Sequence, residues 1–170
     1  MDSVLAFIAN SFIFILPAYI ANASPILFGN RWPIDRGKKW FDGRPILGKG
    51  KTWAGLISGL SLGTLTGLVV AYVLFPNQLL SKAYLAFMMS LGALIFDMIT
   101  SFVKRRLGYK RGELFPFFDQ ADFVLGAFAF TFFIEFPGLD TFLFLIVITP
   151  AIHLSTNFIA YKLGLKSVPW

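Results

Sequence analysis

Between residues 97 and 122 the chain reads DMITSFVKRRLGYKRGELFPFFDQAD, with acids where acids are costly. Asp97 stands inside one apolar run, and Asp119 and Asp122 stand at the start of the next. A carboxylate at membrane depth is a functional hypothesis by default, because its charge has been taken out of water. Between these acids lie Lys104, Arg105, Arg106, Lys110 and Arg111. Oxygen ligands hold Mg²⁺, and Mg²⁺ with Lys and Arg holds phosphates. The chemistry indicated is therefore a metal-and-phosphate site at one membrane face, with Asp97, Asp119 and Asp122 as ligands. On a helix, Asp97, Ser101 and Lys104 fall within about 60° of one another, and Asp97 lies roughly 10 Å along the axis from Lys104. An acid below and a base above suit a cation with phosphate over it. The competing reading is a buried ion pair that stabilises the bundle. Asp119 and Asp122, three apart, also share a face, which favours the site. Arg106 falls on the opposite face from Asp97 and is expected to tolerate alanine better than Lys104. Glu113 reads as a counter-charge in the basic loop, and Glu135 and Asp140 as interfacial charges at the far face.

The elements that must position these groups are membrane helices. Of 170 residues, 56% are hydrophobic, 18% aromatic and 14% charged, with mean hydropathy +0.71. A soluble domain is typically about 25% charged. The expectation is an all-α polytopic membrane protein, one unit over residues 1–170. The absence of cysteine excludes disulfides and thiolate metal sites, and His153, the lone histidine, argues against zinc. A net charge of +6 reads as membrane topology rather than nucleic-acid binding. The N-terminus lacks the basic segment of a signal peptide and is expected to be retained. Five spans are expected over 4–21, 52–75, 84–103, 117–134 and 141–161, with loops 22–51 and 104–116 carrying the chemistry. Phe123 to Ile134 alone gives about 18 Å of helix against roughly 30 Å of hydrocarbon. That helix is therefore expected to extend back through Asp122 and Asp119. Loop 23–51 holds seven cations, Arg31 among them, loop 104–116 holds five and the tail holds Lys162 and Lys166; Lys82 stands alone on the other side. This asymmetry predicts a cytoplasmic site and C-terminus with the N-terminus outside, and a polar cavity on the cytoplasmic side.

Gly55, Gly59, Gly63 and Gly67 recur every four residues and give the second span a smooth face. Its partner is either another span or a second copy of the chain in a homodimer. DGRPILGKGKTW, residues 42–53, has the glycine spacing of a phosphate loop, but Gly50 replaces the hydroxyl residue and no strand precedes it. The physics still applies: glycines admit backbone N–H groups to an anion, a helix starting at Thr52 favours one, and Lys49 and Lys51 can grip it. Asn22 in ANASP either stops the first helix or hydrogen-bonds a nucleotide. His153, Ser155, Thr156 and Asn157 line a pocket or hydrogen-bond a neighbouring helix.

Ser101-x-x-Lys104-Arg105, then Lys110, then Asp119-Gln120-x-Asp122 resemble the signature of membrane CDP-diacylglycerol synthases. The small size, five spans, ANASP, the PID at Pro33–Asp35 and DGRPILGKGKT resemble their archaeal branch, the CDP-archaeol synthases, more closely. Arg111 replaces an acid of the bacterial signature and the His-Gly-Gly element is missing, which also favours the archaeal type. The resemblance implies that CTP and an isoprenoid ether-lipid phosphate give a CDP-lipid and pyrophosphate, with Mg²⁺ as cofactor and membrane lipid as surroundings. By motif, Asp119 and Asp122 would bind metal and Lys104, Arg105 and Lys110 the triphosphate. Asn22, Asp35, Arg44, Lys49, Lys51, Thr52, Ser101 and Gln120 would complete the substrate site; Asp97 is added from depth and face. The alternatives are a phosphatidate cytidylyltransferase acting on ester lipid, or a small ion or lipid transporter. A transport path needs polar groups through the far half of the bundle, where FVLGAFAFTFFI offers only Thr131.

Overall fold

The computed structural model describes residues 2–29, 32–110 and 112–169, so the cations Arg31 and Arg111 lie outside the described residues. Helices α1 (Asp2–Ala23), α2 (Pro25–Phe28), α3 (Trp53–Leu74), α4 (Leu79–Arg106), α5 (Phe118–Thr131) and α6 (Leu139–Lys162) follow in order. The stretches Ser3–Phe28, Trp53–Leu74, Pro76–Arg106 and Leu139–Lys162 are long and apolar enough to cross a membrane. The chain is an all-α, multi-pass membrane protein.

Helix α5 breaks the length rule for a physical reason. Its 14 residues make about 21 Å of helix. It packs against α1, α4 and α6, and Phe123, Val124 and Ala127 are fully buried. Protein rather than lipid covers it, so neighbouring helices supply the thickness that it lacks. It starts at Phe118, and both Asp119 and Asp122 lie inside it. Phe117 initiates the turn in the left-handed region, at φ 66°, a conformation that costs a non-glycine residue free energy.

The long helices alternate in direction. Lys82 at the start of α4 pairs with Glu135 after α5 at 2.7 Å, and Phe7 of α1 meets Phe144 of α6 edge-to-face. The ends of α1, α4 and α6 and the starts of α3 and α5 gather at the opposite end with the basic loops.

The glycine face of α3 is consumed within the chain. A Cβ on Gly59 would stand 2.6 Å from the Ala21 carbonyl oxygen of α1, and one on Gly67 2.0 Å from Ala86 of α4. A second pair has no periodic signature. A Cβ on Gly92 of α4 would meet the Gly126 carbonyl oxygen of α5 at 2.2 Å, and the reverse distance is also 2.2 Å. The two backbones touch, and this contact sets how closely Asp97 can approach Asp122. Gly126→Ala should lower stability by about 1–3 kcal/mol, because backbone cannot yield as a flexible side chain can. A thermal-unfolding midpoint equal to wild type would refute this packing account.

The polar groups of α6 are satisfied largely along that helix. Ser155 donates to Ala151 O at 2.8 Å, Thr156 to Ile152 O at 3.0 Å, and Asn157 meets His153 Nδ1 at 3.0 Å. Tyr19 and Thr149 hydroxyls join α1 to α6 at 2.7 Å.

Candidate active site

The loop from Trp32 to Thr52 is shaped by short antiparallel contacts, Pro33 with Thr52 and Lys39 with Pro45. Ile34 N–H donates to Lys51 O at 2.9 Å and Trp53 N–H to Trp32 O at 3.0 Å. Adjacent side chains on such a segment diverge. Thr52 turns to the Gly29 carbonyl and caps α3 by accepting from Gly55 N–H at 3.1 Å. Its hydroxyl is buried in that cap. Lys51 turns to α4 and forms an ion pair with Asp97.

Asp35 is buried at the centre of this loop. Its carboxylate accepts from Gly37 N–H at 2.9 Å, Leu47 N–H at 3.0 Å and Gly48 N–H at 2.7 Å. Burial pushes the carboxyl up, and the N–H groups of Gly48, Gly37 and Leu47 outweigh it and hold the group below the ordinary carboxylate range. Asp35 is thus a staple of the glycine loop, and its oxygens are spent on backbone. Because the folded group titrates lower than the unfolded one, its stabilisation is full above about pH 3.9 and is lost as pH falls through the lower folded value. Asp35→Asn should loosen this loop and lower stability at pH 7 by about 1.4 kcal/mol, less than the upper worth of hydrogen bonds to a charge. An unchanged thermal-unfolding midpoint would remove Asp35 from this role.

The hairpin 39–45 is clamped to the end of α4. Arg44 donates to the Arg105 and Arg106 carbonyls in the last turn of the helix, where basic side chains satisfy the terminal carbonyls. Arg106 pairs with Asp42 at 2.7 Å, donates to the Arg44 and Pro45 carbonyls, and lies 4.9 Å from the Phe102 ring centroid. Arg106 is off the Asp97 face but is a clamp rather than a spare cation, so its alanine variant should loosen this hairpin.

Between hairpin and helix end opens a cavity of about 530 Å³. Among the described residues five cations line it, Arg44, Lys49, Lys51, Arg105 and Lys110, with Ser101 and Tyr109, and no acid does. The cavity suits a polyanion. Lys51 forms the wall between it and Asp97, which lines a smaller recess beneath.

Lys104 does not stand over Asp97 as the helical spacing suggests, and the competing Asp97–Lys104 ion pair does not form either. Lys104 is buried and donates to Asp119 Oδ2 at 2.6 Å and to the Glu113 carbonyl at 2.7 Å. Asp119 Oδ2 also accepts from Phe115 N–H at 2.9 Å. The pair ties α4, the 107–117 loop and α5 together. Glu113 uses its carboxylate on Lys110 N–H at 2.7 Å. Asp122 is buried, accepts from Phe123 N–H at 2.6 Å, and senses the charges of Asp97 and Lys51, with Thr100 at its side. Among the described residues no three acidic or histidine side chains are gathered tightly enough to hold an ion by themselves. Asp97 and Asp122 nevertheless present hard oxygen donors in one electrostatic neighbourhood. Such a pair fits Mg²⁺, which takes one or two carboxylates and completes its shell with phosphate oxygens and water. Gln120 is buried one turn into α5, and Asn22 is half-buried at the end of α1, away from the cavity lining.

One contributor was missed from sequence. Lys166, read as a topology cation, is half-buried. Burial holds its ammonium below the ordinary lysine value; Asp119 opposes this, while Lys51 and Lys104 add to it. The available signal was Gly164 two residues earlier, a helix-stopping glycine that turns the tail back.

The family model described as CarS-like, CDP-archaeol synthase, matches residues 4–170. A CDP-archaeol synthase of Thermococcus gammatolerans is 47% identical over 159 residues, covering 92% of this chain and 93% of the relative. That of Pyrococcus horikoshii is 48% identical, covering 94% and 95%. A solved structure described as an intramembrane enzyme for archaeal membrane lipids biosynthesis superposes with TM-score 0.79 at 39% identity, over 86% of this chain and 91% of the other.

Proposed function

The chain belongs to the CarS-like family of CDP-archaeol synthases, and from that premise we propose that it is a nucleotidyltransferase joining the cytidylyl group of CTP to an ether-lipid phosphate. An oxygen of the lipid phosphate attacks the α-phosphorus of CTP. The bond from that phosphorus to the bridging oxygen breaks, and pyrophosphate leaves with the electron pair. The acceptor is already ionised at neutral pH, so no side-chain base or nucleophile is required.

Both reactants are anions, and the barrier includes their repulsion. The observation that carries the reading is a cavity whose charged lining residues, among those described, are all cations, with Lys51 standing between it and Asp97. Arg44, Lys49, Arg105 and Lys110 offer charge to the triphosphate and to departing pyrophosphate. Arg gives bidentate contacts and Lys point charges. Ser101 adds a hydroxyl at the cavity wall. Asp97 and Asp122 would hold Mg²⁺, while Asp119 Oδ2 is engaged by Lys104 and Phe115 N–H. When bound, that ion neutralises phosphate charge and polarises the reacting phosphoryl group. Lys51 balances Asp97 until the nucleotide and its cation arrive together, and is then free to contact phosphate.

Fourteen cations against one favour a cytoplasmic position for this end, where CTP is available. The half-exposed Phe117 and Phe118, with Phe118 stacked on Phe115 at 4.7 Å, form an aromatic edge for the lipid headgroup. The test is purified protein with labelled CTP, Mg²⁺ and either the ether- or the ester-lipid phosphate. Label is expected in lipid with the ether acceptor, matched by pyrophosphate. Pyrophosphate without labelled lipid would sink the reading; equal use of both acceptors would move it to the ester-lipid enzyme.

A further inference from the structure

Helix α6 ends in a reversal rather than a free tail. Gly164 takes φ 72°, Leu165 N–H donates to Ala160 O at 2.9 Å, and Gly164 N–H donates to Tyr161 O at 3.0 Å. These two bonds with a left-handed glycine form the helix-terminating motif that turns a chain back on itself. The tail then runs over the loop preceding α5. A Cβ on Gly112 would stand 3.8 Å from the Val168 side chain. Between these anchors, Leu165 and Ser167 are exposed and Lys166 is half-buried, so the tail turns Lys166 inward.

The charges that act on it are those of Asp119, Lys51 and Lys104, and it also acts on His153 of α6. It does not line the cationic cavity beside the hairpin. Cations therefore approach the carboxylates from two parts of the chain: the cavity group from α4 and its flanking loops, and Lys166 from the tail that returns over the loop before α5.

Displacement at phosphorus has a geometric demand. The entering oxygen and the departing pyrophosphate lie roughly in line, on opposite sides of the α-phosphorus. Cations that hold the triphosphate cannot also hold the acceptor. A second anion brought toward a triphosphate needs a charge of its own, placed across from the first set. We propose that Lys166 binds the phosphate of the lipid acceptor, presented to the reaction centre by a C-terminal tail that folds back over the loop before α5. This rests on the cytidylyltransferase reading. It predicts that acceptor and nucleotide are gripped by separate cations on separate elements.

The experiment compares full-length wild type, Lys166→Met and Lys166→Arg, measuring KM for ether-lipid phosphate, KM for CTP and the CTP dissociation constant. Lys166→Met keeps the aliphatic stem and removes the charge. The expected result is a lipid KM raised at least about tenfold, the scale of one lost charge-assisted contact, with CTP affinity within about twofold of wild type. Lys166→Arg should recover most of the loss. An unchanged lipid KM overturns the proposal, as does CTP affinity that weakens in parallel, because a merely structural tail would move both. CTP binding also reports folding of each variant. If wild type makes no labelled lipid, the cytidylyltransferase reading fails; if wild type is active and Lys166→Met keeps its lipid KM, only Lys166 fails.

Discussion

Asp122→Asn is expected to cut turnover about 10²–10³-fold while leaving the protein at least as stable as wild type. The substitution preserves shape, so the packing of α5 on α4 is undisturbed. It removes one of the two carboxylate charges that share a neighbourhood with Lys51. Losing one preorganised electrostatic contributor typically costs about that much rate. Stability moves the other way, because a buried carboxylate is costly and an amide less so. Mg²⁺-dependent CTP binding should weaken with turnover. Activity within a few-fold of wild type, with an unchanged magnesium requirement, would take Asp122 out of the site.

Lys104→Ala should cost roughly 3–5 kcal/mol of stability, the range for removing one partner of a buried pair. The Lys104 and Asp119 side chains retain 10% and 22% of their exposure, so Asp119 would be left charged and poorly solvated. The Glu113 carbonyl would lose its donor as well. Turnover and thermal midpoint should therefore fall together. The double variant Lys104→Met, Asp119→Leu separates the roles. Replacing both partners by apolar groups of similar size is often close to neutral for folding, so stability should largely return. Turnover should not, because the loop carrying Lys110 and the charge near Asp122 are not restored. Recovery of both would make the pair a simple strut. Arg106→Ala should be milder, because Arg106 clamps the exposed hairpin through Asp42 and the Pro45 carbonyl and is not a partner in the Lys104–Asp119 pair.

The amino-acid sequence by itself determined the class of the fold and the end of the bundle where the basic loops and their acids gather. Hydropathy and helix length are local sums, and the cost of burying charge does not depend on knowing the partner. Hence Asp97, Asp119 and Asp122 stood out, and the start of α5 was legible from the shortfall of Phe123–Ile134. Partnership was not legible. Helical spacing put Lys104 over Asp97, yet the chain pairs Lys51 with Asp97 and Lys104 with Asp119, because the path of the 32–52 loop delivers a closer ammonium. Asp35 and Thr52 looked like substrate ligands, and the fold spends both on backbone N–H and carbonyl groups. The contact of Gly92 with Gly126 and the return of the C-terminal tail over the loop before α5 were likewise decided only in three dimensions. Which backbone meets which, and where a tail lands after a left-handed glycine, depend on distances between elements far apart in the chain, and no periodicity within one element encodes them.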